Sequence, residues 1–241
     1  MRKILLLLLV ALLPSPGAAQ SDDWTVCTTG FSPDDVIRAC TAVIDSGRES
    51  GKRLARAYYQ RGFEESLMAP ADRDTWNAKA KSDFGQALTL DPANSDAFAL
   101  RGNILFDERR YADAIPDLQQ ATKLKPEAGV GENLGKSFER TGQLSAAQAA
   151  FDALAKSLPK DEDVFNARGK FHYRNGHFPQ AAADFTKALS LERNGYATYR
   201  TGTLYWRRGL AKRAAGNEPG AAADIAKAKS LFPTMSEPDF D

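Results

Sequence analysis

The chain has 241 residues, of which 32 are Lys or Arg and 31 are Asp or Glu, so its formal net charge at neutral pH is +1. Broad electrostatic capture of nucleic acid or of an anionic membrane surface needs a concentrated excess of basic groups, and this balance argues against it. A local basic patch is still compatible with the composition.

The N-terminus has the pattern of a secretory signal peptide. Arg2 and Lys3 precede the apolar run 4–13, and residues 14–19 then supply a break and small side chains that suit cleavage. An apolar run of about ten residues is too short to span a bilayer, which takes roughly 20. We therefore predict that residues 1–19 are removed and that the chain is exported without a transmembrane segment, to the periplasm if the source is a Gram-negative bacterium.

Two cysteines follow the predicted leader, Cys27 and Cys40, and the chain has no others. Export to an oxidising compartment favours a disulfide between them. Ser32, with a proline and two aspartates directly after it, has the composition of a helix start. The helix predicted over 34–45 carries Cys40, so the disulfide would hold the N-terminal extension, residues 20–53, as a cap over the first hairpin.

A pattern of small, small, apolar, small and proline residues recurs along the rest of the chain. One copy consists of Gly102, Ala114, Leu118, Ala121 and Pro126. The small residues suit a close crossing of two helices, the large apolar residue fills the layer beneath, and proline ends the second helix. The same offsets, with occasional substitutions, recur from four other glycines: Gly62, Gly135, Gly169 and Gly209.

This pattern resembles the tetratricopeptide repeat family over about residues 54–233. The resemblance implies an all-α fold, a right-handed α-solenoid of about five helical hairpins with an N-terminal capping helix. The predicted hairpins span residues 54–92, 95–126, 128–159, 162–193 and 202–233. The first contains a loop insertion within 64–77, and a flexible tail follows at 234–241. Because arrays of this kind usually bind other proteins, we do not expect an enzyme.

Four of the five copies share an arginine directly before the glycine and an aspartate at a fixed later position. These residues are Arg61 and Asp83, Arg101 and Asp117, Arg168 and Asp184, and Arg208 and Asp224. The third copy lacks both, with Leu134 and Ala150 in their places. Since the two residue types disappear together, we predict a structural ion pair between the two helices of each of the other hairpins. The alternative is that both positions are exposed polar sites.

In the resembled family, a concave groove lined by the first helix of each hairpin binds the partner. The matching positions combine aromatic, amide and charged side chains: Tyr59, Phe63, Asn103, Phe106, Asp107, Lys136, Arg140, Asn166, Lys170, Tyr173, Arg174 and Trp206. Such a surface could bind an extended peptide through its backbone, by stacking and by cation–π contacts. The alternative for each residue is a solvated helix face.

Some members of the family clamp a C-terminal carboxylate, and that clamp is incomplete in this chain. Asn103 and Asn133 occupy its two asparagine positions, whereas Ala99, Asp163 and Ala167 replace the other three residues. The sequence therefore does not predict binding of chaperone tails.

The two histidines are the main candidates for chemistry. His172 and His177 are five residues apart, whereas metal-binding pairs on one helix prefer a spacing of four, and no cysteine lies near them. We therefore interpret His172 as a structural histidine and predict no metal and no cofactor. An unrecognised metal-dependent enzyme using His172 is the third-ranked alternative for the function.

The first-ranked hypothesis is an exported helical-repeat scaffold or adaptor that binds a protein or peptide, and not nucleic acid, in its groove. The second is a non-catalytic subunit or regulator of a cell-envelope enzyme or assembly complex. A further hypothesis concerns the tail, in which Phe240 could lie back into the groove in place of a partner.

Overall fold

The computed structural model of the chain describes residues 16–68, 72–192 and 199–240. Twelve α-helices and no strand are found in these ranges, which confirms the predicted all-α, helical-repeat fold class. The helices are α1 (Pro16–Thr29), α2 (Pro33–Asp45), α3 (Gly51–Ser66), α4 (Arg73–Leu90), α5 (Ser95–Asp107), α6 (Tyr111–Leu124), α7 (Ala128–Arg140), α8 (Leu144–Ser157), α9 (Glu162–Arg174), α10 (Phe178–Leu191), α11 (Tyr199–Ala214) and α12 (Glu218–Leu231).

The chain divides into two compact units, Met1–Ala97 and Phe98–Asp241. Most of the predicted leader, residues 1–15, lies outside the described residues, and α1 begins at Pro16. Removal of the leader therefore stays a prediction. No helix in the described ranges combines the length and the apolar character needed to cross a membrane.

A disulfide joins the first two helices of the N-terminal unit. Cys27 on α1 and Cys40 on α2 are bonded and fully buried, among the apolar side chains of Val36 and Val43. Ser32 occupies the predicted cap position, but its side chain makes no capping hydrogen bond. The first turn of α2 is held instead by the backbone, since Val36 N donates to Ser32 O at 3.0 Å.

Helices α3 and α4 form the first hairpin, in which Gly62 lies close to the buried ring of Phe84. We predicted that the additional residues of this copy form a loop within 64–77. That prediction is only partly right, because α3 continues to Ser66 and α4 begins at Arg73, so the insertion mainly lengthens the two helices. Residues 69–71 lie outside the described part of the chain.

The C-terminal unit contains four hairpins, and in each a glycine of the first helix faces an apolar side chain of the second. A Cβ atom at Gly135 would lie 2.5 Å from Cε2 of Phe151, and one at Gly169 would lie 2.8 Å from Cε1 of Phe185. Both rings are fully buried. The glycines are therefore required because the ring of the second helix fills the space that a side chain would occupy.

Proline marks the end of the second helix in four hairpins. Helices α4, α6, α8 and α12 end two residues before Pro92, Pro126, Pro159 and Pro233, respectively. The proline ring disfavours the helical conformation of the residue before it, so each helix ends at the residue before that one. The sequence pattern therefore located these helix ends correctly.

Candidate functional site

All four predicted arginine–aspartate pairs are present, each within its own hairpin and each with at least two hydrogen bonds. Their shortest N···O distances are 2.6 Å for Arg61 and Asp83, 2.6 Å for Arg101 and Asp117, 2.7 Å for Arg168 and Asp184, and 2.6 Å for Arg208 and Asp224. The aspartates are buried, so these positions are not exposed polar sites. Hydrogen bonding to Asp83 and Asp117 raises the pKa of Arg61 and Arg101, respectively.

Three of these arginines also reach the helix that precedes their own hairpin, a contact that the sequence comparison missed. The Nη1 atoms lie 3.1 Å from Oγ1 of Thr41 for Arg61, 2.9 Å from Oδ1 of Asp152 for Arg168, and 3.4 Å from Oγ1 of Thr186 for Arg208. Each arginine therefore links two hairpin layers as well as the two helices of one hairpin.

His172 belongs to the same polar layer. Its Nδ1 lies 2.9 Å from Oδ2 of Asp184, the partner of Arg168, and its Nε2 lies 3.2 Å from Oε1 of Gln148. The residue is buried, and the described ranges hold no group of three or more His, Cys, Asp or Glu that could bind a metal ion. Both ring nitrogens are thus engaged in the hydrogen-bond network between α8, α9 and α10.

Several predicted groove residues lie at or near the surface of their unit. In the N-terminal unit, Tyr59 and Phe63 are partly exposed on α3, and their rings stack with centroids 6.3 Å apart. In the C-terminal unit, Phe106 packs edge-on against Tyr111, while Asp107 and Arg140 have exposed side chains.

The two asparagines of the incomplete clamp bond to each other. Nδ2 of Asn133 donates to Oδ1 of Asn103 at 3.0 Å, across α5 and α7. Lys136, another predicted groove residue, lies 3.2 Å from Oε1 of Glu132 on the same helix. These side chains therefore have partners within the protein already.

Two of the predicted groove residues, Lys170 and Trp206, are buried, and their assignment to an open binding surface is corrected. Lys170 is 8% exposed, and its Nζ lies 2.8 Å from Oε1 of Glu132. Burial lowers the pKa of Lys170, with Glu132 acting in the opposite direction. Trp206 is 6% exposed and packs against Leu210 and Met235. The repeat register identifies the helix face, but not the side chains that cover it.

The two neighbouring lysines stabilise the charged form of the Glu132 carboxylate. Burial acts to raise its pKa, but Lys170 and Lys136 outweigh that effect and the pKa of Glu132 is lowered. Glu132 stands at a position that the other copies fill with an aromatic residue. At this position the third copy therefore has a partly buried ion pair between α7 and α9 instead of an aromatic side chain.

The remaining predicted residues lie together where the C-terminal tail crosses α9 and α11. We call Asn166, Tyr173, Arg174 and Arg207 the tail-binding face. The ring of Phe240 stacks on Tyr173, with centroids 3.6 Å apart and planes 5° apart. The tail that the sequence predicts to be flexible thus has an aromatic anchor, in the position proposed by the tail hypothesis.

Both arginines of the tail-binding face are fixed by other side chains. Nε and Nη2 of Arg174 donate to the carboxylate of Glu139 at 2.9 and 2.5 Å, and Nη1 of Arg207 donates to Oδ1 of Asn166 at 3.1 Å. Arg207 was not predicted from the sequence, because the repeat register assigned its neighbour Trp206 to the groove. The face therefore offers preorganised cationic donors next to an aromatic ring.

A separate buried acid in the N-terminal unit should make stability depend on pH. Glu65 is 5% exposed, and burial together with nearby Asp83 raises its pKa to about 7. The folded protein thus keeps a proton that the unfolded chain loses near pH 4.5, so stability falls as pH rises from about 4.5 to 7. We expect Glu65→Gln to remove this loss, which is worth up to about 3 kcal/mol at pH 8 for a pKa raised from 4.5 to about 7. Urea unfolding at pH 4.5 and pH 8 measures it.

The adjacent Glu64 provides a matched control for this prediction, because its carboxyl is on the same helix and less buried. Glu64→Gln should change the difference between the two pH values less than Glu65→Gln does. Equal stability gains for Glu65→Gln at pH 4.5 and pH 8 would show that Glu65 does not titrate between them.

The fold and the site define an all-α protein built from repeated helical hairpins, with an aromatic and cationic face on the first helices. The sequence profile of the family described as "Tetratricopeptide repeat" matches residues 77–129, 132–189 and 166–235, which together exceed half of the chain. The chain therefore belongs to the tetratricopeptide repeat family.

Individual proteins of known identity also match the sequence of this chain. The chain is 23% identical over 126 residues to the human (Homo sapiens) "Mitochondrial import receptor subunit TOM70", a match that covers 48% of this chain and 21% of the relative. The curated relatives that it matches are all far longer than the matched region, which spans about a fifth of their length or less.

Two solved structures are similar over most of their length. "YrrB: a TPR protein with an unusual peptide-binding site" has a TM-score of 0.62 and 17% identity, covering 82% of this chain and 94% of that one. "PilW, widely conserved type IV pilus biogenesis factor" has a TM-score of 0.61 and 19% identity, covering 91% and 96%. At these identities, the likeness establishes the fold.

Proposed function

We propose that this protein is an exported, non-catalytic adaptor that binds a protein or peptide partner, with the tail-binding face as the centre of the binding surface. One observation carries the proposal: this face already holds a polypeptide segment without helix or strand, the protein's own tail, through Tyr173, Arg174 and Arg207. A surface that binds one irregular segment through its backbone and an aromatic ring has the groups needed to bind another.

The chemistry of the face supports binding rather than catalysis. Its arginines donate to main-chain carbonyls, and the stacked tyrosine supplies apolar and π contact without a reactive group. YrrB, which has a similar fold, is described as a TPR protein with an unusual peptide-binding site, and TOM70 is named as an import receptor subunit. Both names describe proteins that bind other molecules. For this chain, we propose binding of a protein or peptide.

Export rests on the N-terminal pattern of Arg2 and Lys3 followed by the apolar run 4–13. The disulfide between Cys27 and Cys40 supports it, since such bonds persist in oxidising compartments. In the Gram-negative periplasm, the second-ranked role as a subunit of an envelope enzyme or assembly complex would use the same binding face.

Site-specific photocrosslinking in living cells tests the proposal. A photoreactive amino acid at Asn166, which borders Arg207, should yield a discrete adduct with one partner protein, whereas the same probe at Ala183, exposed on the second helix α10, should not. Adding Tyr173→Ala should reduce the Asn166 adduct at least fivefold.

The probe at Ala183 and the Tyr173→Ala variant show whether the partner binds to the tail-binding face or to another surface. Equal adducts at Asn166 and Ala183, or an Asn166 adduct unaffected by Tyr173→Ala, would contradict a binding role for the tail-binding face. An adduct with an envelope enzyme would assign the protein to the second-ranked role, with the same face in use.

A further inference from the structure

The C-terminal tail is attached to the last two hairpins at two side chains. Met235 is buried against α11, where a Cβ atom at Gly202 would lie 2.7 Å from its Cε. Five residues later, Phe240 stacks on Tyr173 and lies 6.1 Å from the ring of Phe185. The segment between them, which forms neither helix nor strand, runs from α11 to α9.

The backbone of the tail is recognised as well as its side chains. Nε of Arg207 donates to the carbonyl oxygen of Asp239 at 3.0 Å, and Nη1 of Arg174 donates to the carbonyl oxygen of Phe240. Any polypeptide offers such carbonyl groups, so these contacts do not select a sequence. Sequence preference must therefore come from the aromatic ring of the bound segment, which stacks on Tyr173, and from the charged groups beside that ring.

The charges around this contact favour an acidic segment. Arg207 is 12% exposed and lies 6.0 Å from the ring of Phe240, with its Nη2 3.8 Å from Oδ1 of Asp239. Asp239 itself is 81% exposed, so its charge is only loosely held. The attraction between opposite charges strengthens as they approach each other, so a carboxylate closer to Arg207 than that of Asp239 would interact with it more strongly.

We infer that the tail-binding face is a recognition site for an extended acidic peptide with an aromatic side chain, and that the protein's own Asp-Phe segment occupies it as a replaceable ligand. The aromatic ring of the partner stacks on Tyr173, its backbone carbonyls accept from Arg174 and Arg207, and its carboxylate pairs with Arg207. This inference deepens the proposed function and rests on it.

Covalent attachment gives the tail an advantage over a free peptide. A tethered segment competes at an effective concentration in the millimolar range for a short linker. A partner therefore binds the intact protein less tightly than it binds a protein whose tail lacks the aromatic anchor. Phe240→Ala removes that anchor and leaves Met235 and the rest of the tail in place.

Fluorescence anisotropy with the full chain tests this competition. The probe is a labelled peptide with the sequence of residues 234–241, TMSEPDFD. We expect the Phe240→Ala protein to bind it at least tenfold more tightly than the unmodified protein. A probe with alanine in place of its phenylalanine should lose at least tenfold in affinity for the Phe240→Ala protein.

Two further variants locate the binding. Tyr173→Ala combined with Phe240→Ala should abolish the gain, whereas Phe31→Ala combined with Phe240→Ala removes a fully exposed aromatic elsewhere and should retain it. Circular dichroism melting of each variant separates loss of binding from loss of folding, and Tyr173→Phe, which keeps the ring, should restore binding if Tyr173→Ala unfolds the protein.

Several outcomes would overturn the inference. The first is equal affinity of the unmodified and the Phe240→Ala proteins for the probe. The second is equal affinity of the Phe240→Ala protein for the probes with and without phenylalanine. The third is a dimer of the full chain that Phe240→Ala dissociates, which would assign the face to the tail of a second copy. If these occur while the Asn166 adduct still depends on Tyr173, the ligand class fails and the proposed adaptor function stands.

Discussion

Arg101→Asp and Asp117→Arg are each expected to lower the free energy of unfolding by about 3 kcal/mol, because each leaves a buried charge facing a like charge. Arg101 donates through Nε and Nη2 to both carboxylate oxygens of Asp117, which is buried between α5 and α6. The double variant restores opposite charges and should recover at least half of the loss. Urea unfolding of the three proteins measures these values.

The third hairpin provides the control for this experiment. It has Leu134 and Ala150 at the corresponding positions, so Arg101→Leu combined with Asp117→Ala copies a pair that the protein already uses. Because no charge is left unpaired, this double variant should lose less than either charge reversal alone. Additive losses for Arg101→Asp and Asp117→Arg would contradict a direct pair.

Gly135→Ala is expected to lower the free energy of unfolding by about 2 to 3 kcal/mol. The new methyl group would overlap the fully buried ring of Phe151, so the ring or the helix must shift. Phe151→Leu alone should also destabilise, because it leaves a cavity. In the double variant the smaller side chain accommodates the methyl group, so the two losses should be less than additive.

Gly129 is the matched control, since it lies on the same helix α7 and is exposed. Apart from its chain neighbours and the nearby backbone of its own helix, no atom lies within 4 Å of a Cβ placed there. Gly129→Ala should leave stability unchanged or raise it by up to about 1 kcal/mol, because alanine favours the helix. A loss at Gly129 equal to that at Gly135 would mean that the helix, not the contact with Phe151, requires glycine.

The sequence predicted the repeated features because each copy provides an independent comparison with the others. The pairing of Arg101 with Asp117 followed from the joint loss of both residues in the third copy, and the helix ends followed from Pro126 and its equivalents. Each of these features depends on contacts within one hairpin. Such contacts recur whenever the hairpin recurs, so the pattern alone is sufficient to define them.

Most of the features that the sequence did not predict occur once in the chain. The contacts of three arginines with the preceding helix do recur, but their partners, Thr41, Asp152 and Thr186, are not all of one residue type. The helix α1 around Cys27 and the longer α3 and α4 belong to no repeat position. The burial of Lys170 and Trp206 depends on Glu132, a departure from the pattern, and on Met235, a residue of the tail. A comparison of copies carries no information about contacts that only one copy makes.

The crosslinking yield at Asn166, compared between the unmodified and the Phe240→Ala protein in the same cells, tests the central claim most directly. If the tail and a partner share the face formed by Tyr173, Arg174 and Arg207, removing the aromatic ring of the tail should raise the yield severalfold. An unchanged or lower yield, at equal protein levels, would contradict the claim that the tail occupies the partner's site.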